Sequence, residues 1–95
     1  MKEIMTIEDS FSTKEAGVIV SGVNPDFDSL DQTAIKKIIG GKVRVVAIDG
    51  SEINAPVRDI AISESIVGRK NISIALGELA SSDQEFRGST VYAVD

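Results

Sequence analysis

Hydrophobic and polar residues alternate along most of this chain. In "NISIAL", Ile72, Ile74 and Leu76 fall on one side while Asn71, Ser73 and Ala75 fall on the other, the period-two pattern of a half-buried β-strand. "KVRVVAI" repeats the pattern, with Val43, Val45 and Ala47 on a single face. "VIVS", Val18 to Ser21, is nearly all β-formers and predicts a buried strand with a glycine turn at each end, Gly17 and Gly22. Turn chemistry separates these runs: Asn24–Pro25, Asp49–Gly50, Ala55–Pro56, and the glycines at 68, 77 and 88. Short strands at this spacing predict an all-β barrel or sandwich.

One segment departs from period two. "SLDQTAIKKIIGG" offers Ser29 as an N-cap, Gln32 at the capping-box position and Gly40 as a stop. Leu30, Ala34, Ile35, Ile38 and Ile39 supply the apolar set. A short helix is predicted over Ser29 to Lys36, with "IKKII" open to either helix or the lead into a strand. Its apolar stripe is expected to cover the core.

Ninety-five residues make one domain with a single core. Three Phe, one Tyr and no Trp leave that core to Ile and Val. Ten basic against fifteen acidic residues give a formal charge of −5, which disfavours non-specific attraction to nucleic acid or to an anionic membrane. With neither cysteine nor histidine, disulfides, thiolate or imidazole zinc sites and imidazole acid–base catalysis are excluded. The opening "MKEIMTIEDS" has no apolar run, so neither a signal peptide nor a membrane span is predicted there, and a cytoplasmic location is expected.

Gly17 and Gly22 have the spacing of a phosphate-binding loop, but Val23 and Asn24 stand where that loop needs its lysine and its hydroxyl. Asp26, Asp28 and Asp31 cluster beside a turn and a helix start, where acids serve as caps. As a calcium loop the stretch has Ser29 at the glycine position and Ile35 at the bidentate position, so no metal is expected. Ser12, Ser21, Ser63, Ser65 and Thr90 have no histidine to activate them, and a non-catalytic protein is predicted. The cations concentrate at Lys36, Lys37, Lys42 and Arg44, with no acid between Asp31 and Asp49, and again at Arg69–Lys70. No aromatic residue lies near them in the sequence to stack a base.

Four segments, taken in order, resemble the second domain of elongation factor Tu and related translational GTPases. "IEDSFSTKEAGVIVSGVN", Ile7 to Asn24, is similar to the entry into that domain, a pattern close to I-E-D-V-F-x-I-x-G-R-G-T-V-V-T-G-R-V. "IGGKVRVV", "VGRKNISIAL" and "FRGSTV" resemble later strands of the same domain. The resemblance implies a small closed antiparallel β-barrel over residues 1–95, with the helical segment as an insertion.

The departures from the family pattern are equally specific. Glu15–Ala16 replaces a glycine–arginine pair, and the glutamate and arginine that help hold the aminoacyl end of transfer RNA fall near Ala61 and Glu64. Asn71 alone matches a polar position of that surface. The expected function is a binding module in translation, without a GTPase domain, that docks to a protein or ribonucleoprotein partner. The alternative is an accessory contacting the acceptor end of transfer RNA. Candidate contacts are Lys36, Lys37, Lys42, Arg44, Arg69, Lys70 and Asn71. No cofactor is expected. Because the phosphate-loop lysine and hydroxyl are missing, calorimetric titration with GTP should be flat. Saturable heat at micromolar nucleotide would contradict this.

Overall fold

The computed structural model describes residues 2–78 and 86–94. Among these residues seven strands form one antiparallel sheet: β1 (Lys2–Thr13), β2 (Gly17–Val23), β3 (Lys42–Val46), β4 (Glu52–Pro56), β5 (Asp59–Glu64), β6 (Lys70–Gly77) and β7 (Thr90–Ala93). Their spatial order is β4-β3-β7-β1-β2-β6-β5. A 3-10 turn, Pro25–Phe27, and the helix α1 (Gln32–Ile39) lie between β2 and β3.

Period two sets which face each strand buries. Ile72, Ile74 and Leu76 of β6 are fully buried, as are Val43 and Val45 of β3, and Val18 and Val20 of β2 join them. Ala47 lies past the end of β3 and is half-buried. Met5, Phe27, Phe86 and Val91 complete the same aliphatic-rich cluster. β4 and β6 lie against each other although four strands separate them in the sheet, so the sheet curls around this core.

A closed barrel is not formed by ladders among the described residues. The sheet ends at β4 on one side and β5 on the other, with no ladder between them. These two strands are nevertheless consecutive in the chain. At the corner between them, the Val57 N–H donates to the Gly41 carbonyl at 3.0 Å and the Arg58 N–H to the Ala75 carbonyl at 2.8 Å. One stretch of backbone therefore belongs first to the β3 side and then to the β6 side.

Ala55–Pro56 is the end of β4, not the expected turn. The bonds of Ala47 to Ser51 and of Val57 to Gly41 set the alternation along the β3–β4 ladder, which directs the nitrogen of Pro56 away from β3. Its missing N–H removes no ladder bond, the condition under which a strand tolerates proline.

Gly22 also departs from expectation. It lies inside β2 opposite Ile7, where a Cβ would sit 2.3 Å from the Thr6 carbonyl oxygen. A register irregularity in β1 between Ile7 and Asp9 accompanies this close approach. Gly17 does stand at the strand end, with φ +71 and its Cβ position 2.2 Å from the Gly77 carbonyl carbon. The glycine spacing reflects backbone crowding by two neighbouring strands.

The helix begins two residues later than predicted. Asp31, not Ser29, is its N-cap and accepts the Ala34 N–H at 2.8 Å. The residues before it are engaged in the 3-10 turn, and the Leu30 N–H donates to the Phe27 carbonyl. The helix runs through "IKKII" to Ile39 and stops at Gly40, φ 74, whose N–H bonds Lys36. Ile35 and Ile39 are buried in the core while Leu30 and Ile38 pack against it, so the stripe covers the core as expected.

The two kinds of glycine give a direct contrast. Gly22→Ala should destabilise the fold by about 1–3 kcal/mol or more, because the methyl group meets backbone oxygen. Gly41→Ala meets nothing within 4 Å and should stay within about 1 kcal/mol of the parent. Equal denaturant midpoints for both variants would show that β1 and β2 do not approach as described.

Candidate functional site

Strand β3 carries the principal cations. Val43 and Val45 point inward, so Lys42 and Arg44 share the outward face. Register places Arg44 between Asn54 of β4 and Tyr92 of β7, and Tyr92 in turn lies opposite Glu3 of β1. The Arg44 Nε donates to Asn54 Oδ1 at 2.9 Å and lies 3.5 Å from Glu52 Oε1. Such a partly exposed ion pair contributes only about 0–1 kcal/mol. Its effect is to hold the guanidinium along the strand. Lys42 has no ion-pair partner among the described residues.

A shallow groove of about 220 Å³ follows this face, lined by Lys42, Arg44, Asn54, Ala55, Pro56 and Val94. Lys36 and Lys37 are exposed in the last turn of α1, where cations oppose the helix dipole, and do not line the groove. Arg69 and Lys70 do not line it either. Of the candidate cations, the groove therefore gathers Lys42 and Arg44 alone.

Lys70 is engaged in the fold. Its Nζ donates to the Asp28 carbonyl at 2.6 Å and pairs with Glu64 at 3.0 Å, while its backbone N–H donates to the Asp28 carboxylate at 3.0 Å. These contacts fasten the segment after β2 to the start of β6. Asp31 caps α1, and Asp26 donates its N–H to the Asn24 side chain. Thus the aspartates act in turns and caps. Arg69 is exposed, its N–H bonding the Ser65 hydroxyl at 3.2 Å, and Asn71 is exposed on β6 between Val23 and Ser63.

Tyr92 and Asn54 escaped the sequence reading. Tyr92 is 48 positions from Arg44, and only the pairing of β3 with β7 makes them neighbours. The available signal was the inward alternation of Val91 and Ala93, which turns Tyr92 outward.

Two hairpin tips expose apolar side chains. From Ala47 to Ser51, and again from Ser65 to Arg69, a four-residue turn ends on a glycine with positive φ and is closed by a backbone bond of 2.8 Å. This is the geometry of a turn followed by a glycine bulge. The first tip exposes Ile48, and the second exposes Ile66 and Val67 at 105% and 82%.

Among the described residues no group of three or more His, Cys, Asp or Glu is placed to hold a metal ion, and no helix is long and apolar enough to cross a membrane. No family model, curated protein or solved structure matches this chain.

At the first hairpin tip the Ser51 hydroxyl, and then the Ser51 N–H, hold the Asp49 carboxyl below its ordinary value. A depressed folded-state value means that this turn's contribution to stability is present above the unfolded carboxyl pKa of about 3.9. It is lost as pH falls through the lower folded value. Ser51→Ala should raise the Asp49 pKa in an NMR titration, whereas Ser51→Thr should keep it low. An unchanged value in Ser51→Ala would assign the depression to another cause.

Proposed function

We propose that this chain is a non-catalytic, cytoplasmic binding module, resembling the second domain of translation elongation factors, that docks to a protein or ribonucleoprotein partner. The observation that carries this reading is where the four similar segments fall. Ile7 to Asn24 spans most of β1 and all of β2, Ile39 to Val46 contains β3, Val67 to Leu76 covers the end of the preceding turn and most of β6, and Phe86 to Val91 enters β7. In the sheet these are the consecutive strands β3-β7-β1-β2-β6. The departures at Ala61 and Glu64 lie on β5, at one edge, and the added helical segment packs on the core.

A closed barrel belongs to the same proposal. The Val57–Arg58 corner bonds to both β3 and β6 neighbours, which supports closure through a single bent strand. Contact with the acceptor end of transfer RNA is the weaker alternative. Ala61 offers no charge, the Glu64 carboxylate is paired with Lys70, and Asn71 alone keeps the resembled polar position. The exposed Ile66–Val67 tip, beside Arg69, is the docking element in this reading, because side chains this open gain most from burial against a partner.

Affinity capture with the native chain, run beside an Ile66→Ser, Val67→Ser variant, tests the proposal. A defined protein or ribonucleoprotein set should be retained by the parent and lost from the variant. Chaperones alone, or identical sets from both, would undo it. Binding to transfer RNA with a steep loss of affinity in salt would favour the alternative.

A further inference from the structure

We infer that the outer face of β4, β3 and β7 binds a short segment of single-stranded nucleic acid, at a site separate from the Ile66–Val67 tip and independent of the docking reading. Three chemical requirements converge there. A base needs a flat apolar face, a phosphate needs a fixed cation, and the base edge needs a hydrogen-bonding group. Tyr92, half-exposed on β7, supplies the face. Arg44 lies directly beside it in register, and only its Nε is engaged by Asn54 and Glu52, which leaves the two terminal nitrogens of the guanidinium for a phosphate. Lys42, two residues away on the same face and without an ion-pair partner among the described residues, supplies the second cation.

Asn54 supplies the third group. Its Oδ1 accepts from Arg44, so its Nδ2 hydrogens remain to meet a carbonyl oxygen on a base. The groove beside Lys42 has an apolar lining of Ala55, Pro56 and Val94.

Charge decides between this ligand and an acidic peptide only in part. Both would be drawn to Lys42 and Arg44, but the aromatic ring in the same row as the guanidinium favours a ligand carrying a π-face. Glu3 and Glu52 border the row, and the chain as a whole is negative at −5. Association is therefore expected to be weak and confined to low salt.

The test is fluorescence anisotropy with a labelled octauridylate, beginning at about 50 mM salt. Two phosphate contacts predict a slope of log affinity against log salt of about −1.4, and Lys42→Gln should reduce it by about 0.7. Tyr92→Ala should weaken binding about fivefold or more, and Tyr92→Phe, which keeps the stacking face, should restore it. Each variant is accompanied by its unfolding midpoint. If Tyr92→Ala does not fold, the Lys42→Gln slope and the Tyr92→Phe affinity still decide. Absence of saturable binding, a slope unchanged in Lys42→Gln, or tighter binding of a labelled octaglutamate peptide at the same face would overturn the inference, the last in favour of an acidic protein partner.

Discussion

The inward faces of seven strands share one core, and among the described residues nothing else is large enough to cover them. A flat sheet would leave that face bare, because the eight-residue helix α1 can shield only part of it. The sheet must therefore curl until its own strands face one another. Almost every particular of the fold follows from that requirement. With Ile and Val as the main filling, the interior has little bulk per residue, and the strands must approach closely.

Close approach in turn dictates where side chains are impossible. Gly22 against the Thr6 carbonyl, and Gly17 against Gly77, are the points at which backbones meet without room for a Cβ. Curling also brings the ends of the sheet within reach of one stretch of chain. The corner at Val57 and Arg58 uses that proximity, bonding to Gly41 on one side and Ala75 on the other. The Lys70 contacts to Asp28 and Glu64 act similarly, holding the helix-bearing segment to β6. A buried lysine in this setting has its donors satisfied by a carbonyl and a carboxylate, which is the condition for burying it at all.

A core that consumes every inward side chain leaves function to the outside. Outward positions carry the Lys42–Arg44–Tyr92 row, while the hairpin turns carry Ile48, Ile66 and Val67. Turns tolerate such residues because their backbone conformation is set by glycine and by short-range hydrogen bonds, not by packing of the tip side chains. Binding chemistry can be placed there without disturbing the core.

The sequence by itself determined the strand faces, the turns at Asp49–Gly50 and Gly68, the presence of a helix with a buried stripe, and the lack of cysteine and histidine chemistry. Each of these is a local property: alternation, turn propensity and composition act over a few residues. The structure altered what depended on distant partners. The role of Gly22 required knowing that Thr6 would lie against it, and the role of Lys70 required Asp28, 42 positions away. The helix start moved from Ser29 to Asp31 because the preceding residues were taken by a 3-10 turn around buried Phe27. Tyr92 became part of a cationic face only through the register of β3 on β7. Pairing between distant strands is selected by the whole core at once, and no local pattern records it.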